Sequence, residues 1–192
     1  MIELFKRAAV EYNDLIKELK VVGDTLEAYQ KDNGKKFSSD IFLKQFDCIF
    51  QYGLLQHAIA DGTLDKNELI FIKEITSYGD LLVYINSYYK NSVTWDDVLN
   101  AKEDSVDKWL SNNEEYINKL SAEFIASLAM VDAAVTNVDF VKMLIEKCGA
   151  IYGLLEQMDG EVSKAEQNDI PSNYLLRVIA VLDKHVKELL NK

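Results

Sequence analysis

The chain has 192 residues, 48% of them hydrophobic, with a single Pro and eight Gly, which is enough apolar content for a real core and too few breakers for a disordered chain. Its formal net charge of −11, from 21 basic against 32 acidic residues, weighs against nucleic acid as a partner, because phosphate binding is driven by Lys and Arg. Cys48 and Cys148 fit no zinc spacing and read as small core residues in a reducing, cytoplasmic setting. The start, Met1 to Arg7, lacks the apolar run of a signal peptide, and no stretch reaches the ~20 apolar residues of a membrane span.

Leu4, Ala8, Val10, Tyr12, Leu15, Leu19 and Val22 recur at three- and four-residue steps, which predicts an amphipathic helix running to about Tyr29. After the polar loop 31–36, Ser39 or Asp40 would cap a second helix over Ile41–Ala60, apolar nearly all round and so suited to the centre of a bundle. Asp61-Gly62 would end it. Asp65 with Glu68 three residues on forms a capping-box pattern for a third helix, with Leu69, Ile70, Ile72 and Ile75 on its inner side. Gly79 breaks that helix, Leu81–Tyr89 continues as a short Tyr-rich one, and Thr94-Trp95-Asp96-Asp97 starts a connector to Ser111 whose apolar contacts are Trp95, Val98, Val106, Trp109 and Leu110.

The second half repeats this plan: a helix from about Asn113, another over Val138–Met158, Asp159-Gly160, a helix opened by Ser163 and interrupted by Pro171, and a last helix over Tyr174–Leu190. No alternating strand pattern with hairpin turns occurs. The fold expected is therefore an all-α helical bundle built from two tandem, similar three-helix units. The first would be 1–93, a helical connector 94–112, and the second 113–192, the two packed as one globular domain.

The duplication rests on an eight-residue pattern, Asp-Gly-x-aliphatic-x-Lys-x-Glu, present at 61–68 and again at 159–166, 159 − 61 = 98 residues apart. A second echo, Cys-x-x-x-Tyr-Gly-Leu-Leu at 48–55 and 148–155, has an offset of 148 − 48 = 100. Two residues rotate a helical face by ~200°, so both offsets hold only if the first copy carries an insertion before its Asp-Gly. A bulge or extra half-turn near residues 57–60 would absorb it.

Ala60-Asp61-Gly62-Thr63-Leu64-Asp65-Lys66-Asn67-Glu68-Leu69 resembles the tellurite-resistance TerB-like family, and Met158 to Glu166 is similar to it less fully. The resemblance covers about 20 residues in each half. It implies an internally duplicated, all-helical cytoplasmic protein linked to stress or tellurite resistance and to divalent-cation binding through acidic residues. Carried over by position, the acids are Asp61, Asp65 and Glu68, then Asp159 and Glu166. Ser163 stands where Asp65 does, which makes the second turn poorer in charge.

An EF-hand is not expected: counting Asp61 as the fifth loop position puts His57 first and Ile59 third, and counting Asp159 so puts Leu155 and Gln157 there. A weaker site is physically reasonable. A helix C-terminus offers free carbonyl oxygens and partial negative charge, and with Asp61 and Glu68 nearby it would suit Ca²⁺ or Mg²⁺, with an affinity on the order of 10⁻⁴ M. The competing role is structural, since Asp-Gly closes helices and Asp65, Ser163, Glu68 and Glu166 cap them. His57 reads as an ordinary semi-buried histidine, and Asp132 as an acid that needs a hydrogen-bond partner. Tyr84, Tyr88, Tyr89 and Trp95, with Tyr78 nearby, form either a docking face or a packing contact between halves. No nucleophile–base pair, phosphate loop or dinucleotide fingerprint occurs, so an enzyme is not expected. The functions expected are a weak divalent-cation module at the Asp-Gly turns or a metal-free protein-interaction module; no other cofactor is expected.

Overall fold

The computed structural model describes residues 2–34, 36–59, 64–101, 103–134 and 139–157. Among them every regular element is a helix: α1 (Ile2–Asp32), α2 (Ser39–Ala58), α3 (Lys66–Ile75), α4 (Leu81–Tyr89), α5 (Trp95–Asn100), α6 (Glu103–Ala134) and α7 (Asp139–Leu155). The all-α class expected from the periodicity is thus observed. None of the described helices is long and apolar enough to cross a membrane.

The apolar girth of α2 places it at the centre, in contact with α1, α3, α4, α6 and α7. Phe42 stacks on Phe124 of α6 with ring centroids 4.8 Å apart, Phe46 lies 5.8 Å from the same ring, and Phe50 meets Tyr152 of α7 edge-on at 5.8 Å. Each such ring is worth roughly 1.5–3 kcal/mol of burial. The Tyr52 hydroxyl, also buried, donates to the Leu110 carbonyl of α6 at 3.1 Å. Outside this centre, α1 turns Ala8, Tyr12, Leu15, Ile16, Leu19 and Leu26 inward, packs on α2 and α7, and is tied to α7 by a Lys147–Glu11 ion pair of 2.6 Å.

Several boundaries differ from expectation. Ser38, not Ser39 or Asp40, caps α2, accepting from the Ile41 amide. In α3 the inner face holds Phe71 where Ile70 was expected. Ile70 is exposed, and Phe71 packs on Phe5 of α1 at 5.4 Å. The expected connector is not a separate element through Ser111. α5 ends at Asn100, and α6 runs unbroken past Asn113 to Ala134. Ser111-Asn112-Asn113 is poor helix-forming sequence, but Asn113 is buried with its amide donating to the Trp109 carbonyl at 2.6 Å, while Leu110, Tyr116 and Ile117 anchor both sides. Tertiary contact here overrides local propensity. Of the expected second unit, Asp159-Gly160, Ser163, Pro171 and the helix over Tyr174–Leu190 lie outside the described residues.

The Cys-Tyr-Leu-Leu echo is visible as packing. Cys48, Tyr52, Leu54 and Leu55 are buried in α2, and Cys148, Tyr152, Leu154 and Leu155 in α7. In the register of that echo α2 continues through 56–58, whereas Glu156 and Gln157 form a turn.

Candidate functional site

Asp65 and Glu68 occupy the N-terminus of α3 and close a capping box there. Asp65 Oδ1 accepts from the Asn67 amide at 2.6 Å, and Glu68 Oε2 accepts from the Asp65 amide at 2.9 Å. Glu68 is only 2% exposed. These are the bonds the capping pattern requires, and they engage one oxygen of each acid in holding the helix end. Asp61, Asp159 and Glu166, the other three candidate ligands, lie outside the described residues. Among the described residues no group of three or more His, Cys, Asp and Glu side chains is placed to hold a metal ion.

The ends of α2 and α7 meet. His57, which is fully buried rather than semi-buried, places Nε2 3.1 Å from Glu156 Oε1 and packs its ring edge-on to Tyr152 at 5.4 Å. An Asp-Gly pair follows His57 by four residues in sequence and Glu156 by three. The two copies of the pattern thus follow helix ends that are neighbours.

A second buried polar group went unremarked in the sequence. Asp47 sits in the apolar run of α2 at 0% exposure. Its Oδ2 accepts from the amides of Tyr78 at 2.7 Å and Gly79 at 2.9 Å, and its Oδ1 accepts from the Tyr12 hydroxyl at 2.8 Å. Tyr12 Oη accepts in turn from the Ser77 amide at 2.9 Å. One helical turn along, the Gln51 amide donates to Ile72 O and Thr76 Oγ1 and its oxygen accepts from Leu81 N. The α3–α4 turn is therefore held by two polar residues of α2 and one of α1. Gly79 is required there, since a Cβ would lie 2.6 Å from the Lys44 carbonyl oxygen. Burial pushes Asp47 from the ordinary 3.8 to about 6, against the opposing pull of its hydrogen bonds from Tyr12, Gly79 and Tyr78. A lone acid in an apolar helix was the available signal. The same signal was read at Asp132, whose side chain is outside the described set.

The tyrosines of α4 lie against α6. Tyr88 stacks on Tyr116 at 4.3 Å, Tyr89 meets Tyr88 edge-on at 4.8 Å, and Lys119 Nζ sits 5.8 Å from the Tyr88 ring centre. Tyr88 is 49% and Tyr89 37% exposed. Glu115 and Glu123 lie near enough to raise the phenol pKa values of Tyr89 and Tyr116, although burial is the larger cause in each case. Trp95 leaves the expected patch, being buried with Nε1 donating to Asp80 at 3.0 Å. Tyr116, twenty-seven residues beyond Tyr89, joins it, and nothing in local sequence could have shown that. A groove of about 450 Å³ runs between α1 and α7 with Gly149, Ala150 and Gly153 among its lining residues. The acids lining it, Glu3 and Glu11, share it with Lys6 and Arg7, and Glu11 is paired with Lys147.

Comparison of the chain with family models, with curated proteins and with solved structures gives no match.

Proposed function

We propose that the chain is a non-catalytic, cytoplasmic helical module that docks a protein partner through the tyrosine face of α4 and α6. The observation that carries this reading is the three-ring cluster of Tyr88, Tyr89 and Tyr116, ordered by mutual stacking yet with two rings a third to a half exposed. Pre-ordered aromatic rings lose little side-chain entropy on binding, which is why Tyr concentrates at interfaces. The acids beside these rings and the net charge of −11 favour a partner segment that presents apolar and basic residues. The test is photocross-linking in the native host from a reactive residue placed at Asn112, exposed one turn before Tyr116 on α6, with Tyr88→Ala/Tyr89→Ala as the control. The expected result is a discrete adduct that the double variant loses while its unfolding midpoint stays at the wild-type value. No adduct, or one indifferent to the two substitutions, would overturn the reading.

A second reading keeps the resemblance to the TerB-like family, with two duplicated units and weak Ca²⁺ or Mg²⁺ binding at the Asp-Gly segments. It is favoured by the His57–Glu156 contact, which brings together the helix ends that precede both segments. It ranks second because Asp65 and Glu68 are engaged in capping.

A further inference from the structure

We propose that the α3–α4 turn is a proton-linked latch whose closed form is strengthened when the buried Asp47 carboxylate is protonated. The geometry has three parts. First, Asp47 is fully buried, and every donor to it is neutral: the Tyr12 hydroxyl and the amides of Tyr78 and Gly79. Second, among the described residues no Lys, Arg or His shifts its titration. The titratable groups coupled to it are Tyr12 of α1, Cys48 beside it on α2 and Tyr84 of α4, all neutral at physiological pH, and Asp80 and Asp40 also act on Cys48 and Tyr84. The ammonium of Lys44, one turn before it on α2, is paired with Asp40. Among the described residues the buried charge therefore has no counter-ion. Third, the two oxygens carry unequal loads. Oδ2 receives both backbone amides and lies 3.0 Å from the Tyr12 hydroxyl, while the donor to Oδ1 is that same hydroxyl at 2.8 Å. A proton on Oδ1 can be donated to Tyr12 Oη while the tyrosine's own O–H turns to Oδ2, which leaves the two amide bonds in place.

The sign follows from linkage. Opening the turn would return Asp47 to water and to the ordinary 3.8, whereas the closed turn holds it at about 6. The closed form thus binds the proton more tightly, so its advantage is full below the lower value and is lost as pH rises through the upper one. The latch carries α4 behind it, because Leu81 is held by Gln51 and Asp80 caps α4.

The experiment is amide hydrogen exchange of Ser77, Tyr78 and Gly79 in the full chain, corrected for the intrinsic rate at each pH. Protection is expected to rise about tenfold between about pH 7.5 and about pH 5. Asp47→Asn, if it folds, is expected to remove that dependence. Tyr12→Phe is expected to keep it, with lower protection overall. Flat protection in the unmodified protein, or protection that falls with acid, would overturn the proposal. So would a dependence that survives in Asp47→Asn.

Discussion

α2 and α7 carry the same Cys-Tyr-Leu-Leu face in the same register, yet among the described helices one is the hub and the other lies at its side. The difference is in the residues between the shared positions. α2 has Ile49 and Phe50, both fully buried, where α7 has Gly149 and Ala150, both exposed and lining the groove with α1. α2 also has Asp47 and Gln51, which bind the α3–α4 turn, where α7 has Lys147 and Ile151. Lys147 is half-buried and pairs across to Glu11. A shared stripe of apolar residues is therefore enough to seat a helix. What makes it central is the set of groups on its other faces that other elements need.

That contrast can be broken at its strongest point by Phe50→Ala. The ring is fully buried between α2 and α7, so the loss should be about 3–5 kcal/mol in urea unfolding. Asp47→Ala comes next. It strands the Tyr78 and Gly79 amides and the Tyr12 hydroxyl, at about 1–3 kcal/mol for each group that finds no other partner. Asp65→Ala removes one cap bond at α3 and should cost about 1 kcal/mol by thermal unfolding. The smallest effect has the opposite sign. Gly149→Ala or Gly153→Ala adds a Cβ that meets nothing within 4 Å among the described residues, and should stabilise α7 by about 0.5–1 kcal/mol. A loss at either glycine would mean that this face of α7 is covered.

The parts legible in sequence were those set by near neighbours. The α1 stripe, the Asp65–Glu68 and Thr94–Asp97 caps, and the central place of α2 all follow from patterns within a few residues. The continuity of α6 was not legible, because Asn112-Asn113 predicts a break and the burial of Leu110, Asn113 and Tyr116 carries the helix through. Nor was the Asp47 clamp, whose donors come from positions 35 residues before and 31–32 after. The tyrosine face was half legible. Tyr88 and Tyr89 stood out, but their partner Tyr116 is set by how α4 packs on α6. At the first acidic turn the Asp65–Glu68 capping pattern was legible, and its bonds are present.

The most direct measurement is the unfolding midpoint in EDTA and in about 5 mM Ca²⁺ or Mg²⁺ at matched ionic strength, where a site with affinity on the order of 10⁻⁴ M would add about 2 kcal/mol, or roughly 4–8 °C for a chain of this size. If the acids of the Asp-Gly segments serve to end and cap helices while the tyrosine face does the binding, the midpoint is the same in all three solutions. A rise of that size, removed by Asp61→Ala and Asp159→Ala, would contradict it and make the cation the ligand of this protein.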